Sequence, residues 1–378
     1  MIECYNKHMS MKHNEILYQI FPRNYSKEGT FLEIEKDLSR IKNMGVTIIY
    51  LMPIHEIGVK ARKGSWGSPY AVKDYFSISK DLGSLGEFTS LVNKVHALNM
   101  RIIIDMVFNH TSPDNVLLKD HEDYYFHKNG KLGNRVGDWS DIVDLDTQKK
   151  ETQEYLLSVL KYWVSLGVDG FRFDVASMID FSFFSYARKE LGKDIIFLGE
   201  SIDHDFSNYL RSQNEIATLD KDMYPVFDSL YNYNFFREMI RYIKGEGSLQ
   251  KVIDKINEDD THLRTLCLEN HDNDRISSLL DKKRLSNWLD FFSFIKGQIF
   301  IYMGEEYGNK HKPELFEKDP VDFSYKDEEI YSLYLHYINR KLHQKEIIKQ
   351  HISLIDINRV KVTVTYIDNS AEEKEFEL

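Results

Sequence analysis

The sequence predicts a (β/α)8 barrel, the TIM fold, on two observations: apolar runs of strand length recur eight times, and most are separated by longer stretches with helical spacing. A doubly wound open sheet uses the same alternation, and the count of eight is what favours closure.

The first run covers residues 16–21 and is followed by an amphipathic stretch over 31–44 and a second run at 46–52. In 88–98, Phe88, Leu91, Val92, Val95 and Leu98 fall at helical period and lead into the third run, 101–107. Leu156, Leu157, Leu160, Trp163 and Val164 make one stripe within 152–166, ahead of the fourth run at 168–173. The remaining runs are 195–198, 225–230, 265–268 and 298–303, and a last helix is expected over 328–342.

Two segments depart from the alternation. Residues 111–146 are polar, rich in Gly, Asp, Asn and His, and too long for an ordinary βα loop, which predicts a short inserted subdomain. The barrel then comprises 1–110 and 147–345. Residues 346–378 form a short C-terminal β segment, in which Val360, Val362 and Val364 alternate with Lys361 and Thr363 ahead of an acidic tail.

Composition narrows the partners. With 42% hydrophobic and 29% charged residues the chain is that of a folded globular protein. Its 49 basic against 60 acidic residues give a net charge of -11, which disfavours nucleic acid and anionic membrane. Cys4 and Cys267, the two cysteines, offer neither a disulfide framework nor a zinc cluster. The longest apolar run, 48–54, is too short for a bilayer and no leader-like stretch opens the chain, so a cytoplasmic protein is expected, its oligomeric state left open.

In a barrel the carboxyl ends of the strands converge on one face, and here those ends are acidic. The third ends in Asp105-Met106-Val107-Phe108-Asn109-His110, the fourth in Arg172-Phe173-Asp174, the fifth in Gly199-Glu200 and the seventh in Glu269-Asn270-His271-Asp272. Glycoside hydrolysis needs two carboxyl groups in different protonation states, and acids arriving from separate strands can supply both. Arg172 stands two residues before Asp174, so on a strand both side chains share a face and the guanidinium can hold that carboxylate ionised. Singly each signal is weak; an Arg-x-Asp on a strand is about as often a structural ion pair.

As an ordered set on these strands, the four segments resemble the α-amylase family of glycoside hydrolases, family 13, and the resemblance runs over about 16–308. It implies a retaining hydrolase of α-1,4-glucosidic bonds in maltooligosaccharides or starch-like glucans, with Asp174 as nucleophile, Glu200 as general acid/base and Asp272 as the stabilising carboxylate. By the same match Arg172, His110 and His271 contact the sugar next to the scissile bond, and Tyr70 is the tyrosine stacked beneath it. No cofactor is required for the chemistry. The resemblance leaves room for a structural calcium with Asn109 as first ligand; Asp138 and Asp141 are candidate partners that serve equally well as loop caps.

Where the family's classical α-amylases carry Lys-His after the nucleophile, this chain has Ser177 and Met178. The acceptor side and the family's histidine contribution to calcium therefore differ. An exo-acting α-glucosidase or a transglycosylase shares the same strand-end chemistry. A metal-dependent barrel hydrolase would want a first-strand His-x-His or a carboxylate cage, and a non-catalytic binding module would have lost one of the three carboxylates.

Overall fold

The computed structural model describes residues 11–137, 139–231, 233–259 and 261–378; Cys4 and Asp138 lie outside them. Eight parallel strands, β1 (Ile16–Ile20), β2 (Ile48–Leu51), β3 (Arg101–Met106), β4 (Gly170–Phe173), β5 (Ile196–Gly199), β6 (Ser229–Tyr231), β7 (Arg264–Cys267) and β8 (Gln298–Tyr302), close into a barrel in sequence order. They are buried on both faces, which is why they read as continuous apolar runs and not as alternating ones.

The helices follow the stripes that predicted them. Helix α1 (Phe31–Met44) buries Phe31, Ile34, Leu38, Ile41 and Met44 and ends at Gly45, whose φ of 103° needs a residue without a side chain. Helix α2 (Leu85–Ala97) begins with a reciprocal capping box between Ser84 and Glu87. Helix α3 (Lys150–Ser165) buries Leu156, Leu157, Leu160 and Trp163 against the barrel. Helices α4 (Phe181–Leu191), α5 (His204–Ser212), α6 (Tyr233–Ile243), α7 (Leu249–Asn257), α8 (Lys282–Phe294) and α9 (Glu328–Leu342) continue around it. No described helix is long and apolar enough to cross a membrane.

One local expectation is corrected, and two features are added. The sixth strand begins at Ser229 and not at 225, because Pro225 has no N–H to give to a ladder and the amides of Val226 and Phe227 turn back onto the Met223 carbonyl. The acidic tail is a strand: β9 (Ile347–Asp356), β10 (Arg359–Tyr366) and β11 (Ala371–Glu377) form an antiparallel sheet. Lys361 pairs with Glu373, Lys374 reaches Asp290 on α8, and Phe376 is buried against Phe291 and Phe294. Between β2 and α2 a further hairpin, His55–Ile57 with Val72–Ile78, carries the loop that bears Lys63 and Tyr70.

Past β3 the chain leaves the barrel until α3. His110–Thr111 pairs with Val143–Asp144, and His127–Lys128 with Lys131–Leu132. This excursion stands over the carboxyl ends of the strands.

Candidate active site

Parallel register places the first ion pair. Arg172 on β4 stands opposite Asp105 on β3, and at 0% exposure its Nη1 donates to both Asp105 oxygens at 2.9 and 3.0 Å. The same nitrogen donates to Asp174 Oδ1 at 2.8 Å, the same-face contact that two-residue spacing requires. Nη2 lies 2.8 Å from Glu200 Oε1, beyond the end of β5. One guanidinium thus holds three carboxyl groups from three neighbouring strands.

Glu200 is fixed a second time. Val175, next to Asp174, adopts φ 36° and ψ 46°, a left-handed conformation unfavourable for a β-branched residue by roughly 1–3 kcal/mol. In that conformation its N–H donates to Glu200 Oε2 at 2.8 Å. Backbone strain is located between the two carboxyls whose relative placement matters most.

Burial pushes the Asp174 carboxyl well above its ordinary value, and Glu200 and Asp105 push it further while Arg172 pulls it back. Asp105 is likewise raised by burial against the pull of Arg172. Like charges this close do not ionise independently, so Asp105 and Asp174 titrate together around a single permanent cation.

A polar chain runs away from this cluster. Gln19 Nε2 lies 3.0 Å from His271 Nδ1, His271 Nε2 lies 2.7 Å from the Tyr70 hydroxyl, and that hydroxyl donates to Asp105 Oδ2 at 3.1 Å. The Gln19 amide nitrogen can only donate, so His271 carries its proton on Nε2. Tyr50 donates to the same Asp105 oxygen at 2.6 Å. The Tyr70 and His271 rings are stacked at 5.4 Å and 18°. Burial lowers His110 to about 4 and His271 to about 3, so both imidazoles are neutral donors and acceptors at neutral pH.

Asp174, Glu200, Tyr70, His110, His271 and Asp272 all line one cavity of about 410 Å3, with Arg172 and Asp105 beneath it. That is the small end of the roughly 300–1,000 Å3 range of ligand sites. The Asp272 carboxylate stands at the lip, 43% exposed and 3.2 Å from His271 Nε2, and Lys312 donates to its carbonyl. Every predicted sugar-contacting residue is therefore brought together. Sequence reasoning missed Lys63, Trp139, Ile202, Phe206, Tyr233 and Phe316, which line the same cavity from loops and helices with no motif of their own.

Ser177 and Met178 do not face the cavity. Ser177 is fully buried and accepts from the Ile202 amide, and Met178 packs with Ile202, Leu210 and Ala217 in a small apolar cluster.

Of the donors expected for calcium, Asp138 lies outside the described residues, and the other two are engaged elsewhere. The Asn109 side-chain amide bonds to His110 Nδ1 at 3.1 Å, and Asp141 is paired with the Lys63 ammonium at 2.7 Å. Among the described residues no group of three His, Cys, Asp or Glu is disposed to hold a metal. Beside Asn109, whose carbonyl accepts from the Leu145 amide, the Arg135 guanidinium bonds Asp144 and the Leu145 carbonyl and pairs with Glu215 at 2.9 Å. A side-chain cation ties the insertion to the barrel there.

Comparison with known proteins follows this geometry. The family described as alpha amylase, catalytic domain, matches residues 19–226 and 181–353. Alpha-amylase 3 of Dictyoglomus thermophilum is 26% identical over 357 residues, 82% of this chain and 68% of the relative. The intracellular maltogenic amylase of Bacillus subtilis is 29% identical over 310 residues, 74% of this chain, which spans only 49% of that relative's length. The crystal structure of an alpha-amylase from Lactobacillus plantarum superposes with a TM-score of 0.88 at 34% identity, covering 93% of this chain and 86% of that one.

Three outcomes follow from the site. Arg172→Gln strands buried carboxyls without their cation and is expected to lower stability by about 3–5 kcal/mol in urea titration; a change under about 1 kcal/mol contradicts the central ion cluster. Treatment with EDTA is expected to leave Tm unchanged, whereas a fall of several degrees restored by calcium would mean that a cage forms after all. For the histidines the sign is set by depressed values: unfolded, His271 binds a proton below about 6.5, folded only near 3. Stability is thus lost as pH falls from about 6.5, by about 1.4 kcal/mol per unit for this one group. Wild type should lose that much more than His271→Gln between pH 6.5 and 5; equal losses contradict a neutral buried imidazole.

Proposed function

Because the chain belongs to the α-amylase family of glycoside hydrolases, we propose that it hydrolyses α-1,4-glucosidic bonds of maltooligosaccharides by a retaining mechanism, with the site residues in the roles set out below. The observation that carries the reading is the Arg172 cluster, in which Asp174 and Glu200 are anchored on one guanidinium at 2.8 Å each. That common anchor keeps the two carboxyls close, as retaining chemistry requires at about 5–5.5 Å.

Asp174, with one oxygen bonded to Arg172, attacks the anomeric carbon with the other. Glu200 gives its proton to the glycosidic oxygen as that bond breaks, which leaves a glycosyl ester on Asp174 and a free leaving sugar. Water then attacks the same carbon, Glu200 takes its proton, and Asp174 departs as carboxylate. Two inversions return the α configuration.

The other residues act on the developing charge and on position. Asp272, at the lip, accepts from sugar hydroxyls and stabilises the oxocarbenium-like transition state. Neutral His110 and His271 donate without adding a competing positive charge. Tyr70, held by His271 and Asp105, offers its ring beneath the sugar. Asp105 keeps Arg172 in place while the charge on Asp174 comes and goes.

Residues 111–146 serve in this reading as an inserted unit that walls the cleft, and 346–378 as a separate β unit. A cytoplasmic site of action belongs to the proposal too, supported by the Bacillus subtilis relative named intracellular.

The two carboxyls are separable by leaving group. Asp174→Asn should lose at least about 10^4-fold in kcat/KM on maltoheptaose and on an aryl α-glucoside alike. Glu200→Gln should lose about 10^2–10^4-fold on maltoheptaose and far less in the first step on the aryl substrate, whose leaving group needs no proton. Equal losses of Glu200→Gln on both substrates would contradict the acid role.

A further inference from the structure

The cavity is lined by an ion pair that the chemistry does not use. Its lining sorts into two groups by the elements that carry it. Val175, Ser201, Ile202, Asp203, Phe206 and Tyr233 come from the segments that follow β4, β5 and β6. Glu200 protonates the leaving oxygen, so the residues immediately after it mark the leaving-group side. In the proposed reading the attacked sugar lies over Tyr70 and beside His110, and the loops after β2, β3 and β8, which face the first group around the barrel mouth, bring Lys63, Asp141, Leu315 and Phe316.

On that side Lys63 Nζ meets Asp141 Oδ1 at 2.7 Å, and the ammonium lies 5.8 Å from the centre of the Phe316 ring. These residues belong to three loops: the one inside the hairpin after β2, the insertion after β3, and the segment after β8. The loops are fastened to one another. Ser65 N donates to Glu317 Oε1 at 2.8 Å, Trp66 N to the Phe316 carbonyl at 3.0 Å, and Val59 N to Asp114 Oδ2 at 3.1 Å. A glucan chain passing beyond the attacked sugar would have to part them.

An ion pair facing a cavity is also a binding device. An ammonium has three donors and a carboxylate about four acceptor positions, and the 2.7 Å contact uses one of each. The Lys63 side chain lines the cavity and keeps 34% exposure, so it is accessible to a ligand there. Such a pair suits the free hydroxyls of a terminal sugar, which both donate and accept. An internal glucosyl unit has one of those hydroxyls replaced by the next sugar, so it leaves polar groups unmatched and needs the space the pair fills.

We propose that the Lys63–Asp141 pair is the non-reducing-end stop of the cleft, so that the protein removes short units from the non-reducing end of α-glucans and does not cut within the chain. The inference rests on the glycosidase reading above and adds the direction and terminus of attack.

The test compares maltoheptaose carrying a reducing-end label with the same substrate whose non-reducing 4- and 6-hydroxyls are joined in a ketal or acetal. Wild type is expected to act on the free-ended substrate with unlabelled short products, and at least about 100-fold more slowly on the blocked one. Lys63→Met/Asp141→Asn, which removes both charges together and strands neither, should bring that ratio below about 10-fold and yield products from within the chain. Lys63→Ala alone should move the ratio the same way; a purely structural role would lower both rates and leave the ratio where it was. If wild type cuts blocked and free substrate equally, the stop is overturned while the hydrolase reading stands. If the double variant keeps the wild-type ratio, Lys63 and Asp141 are not its cause. If wild type cuts neither substrate, the hydrolase reading itself falls, and this inference with it.

Discussion

A guanidinium with no exposure to solvent is tolerable only if its charge is answered, and Arg172 is answered three times: by Asp105, by Asp174 and by Glu200. Most of the site can be traced to that requirement. Strand register fixes Asp105 opposite it, the two-residue step fixes Asp174 beside it, and a strained Val175 turns its amide to hold Glu200 from the other side. The polar chain through Tyr70, His271 and Gln19 then anchors the two stacked rings to the same Asp105. The barrel wall supplies rigidity, and the cluster converts it into orientation.

This arrangement separates two tasks often assigned to one residue. Asp105 pairs with the buried cation from below the cavity floor, which in the proposed mechanism leaves Asp174 free to lose and regain its charge. Without Asp105, the guanidinium would be left with Glu200 alone once Asp174 became an ester. The same logic applies at the insertion, where Arg135 links Asp144, the Leu145 carbonyl and Glu215. There, too, positive charge is provided by a side chain that belongs to the fold.

Much of this was legible in the sequence. Apolar runs located all eight strands because buried parallel strands tolerate no alternation, and acids where those runs stop marked the reactive face. The Arg172 and Asp174 contact followed from side-chain period alone. Less visible were features set by pairing between distant segments. The register that brings Asp105 to Arg172 depends on how β3 and β4 align, and nothing in either strand states it. Pro225 misled the sixth strand by sitting in an apolar run while capping a turn. The C-terminal β segment was legible, but the partners of its acidic end were not, because Lys361, which meets Glu373, and Asp290, which meets Lys374, lie on other elements. Asp141 read as a candidate calcium ligand because its lysine is far away in sequence, and only the packed structure shows Ser177 and Met178 turned inward.

The central claim is that one buried arginine presents Asp174 as a nucleophile and Glu200 as its proton partner. Its most direct test is to trap the intermediate: Glu200→Gln incubated with an α-glucosyl fluoride fluorinated on the ring, followed by peptide mapping by mass spectrometry. The expected result is a single glycosyl adduct on the peptide bearing Asp174, absent when Asp174→Asn is combined with Glu200→Gln. An adduct on Asp105 or Asp272, or none under conditions where fluoride is released in a burst, would contradict the account.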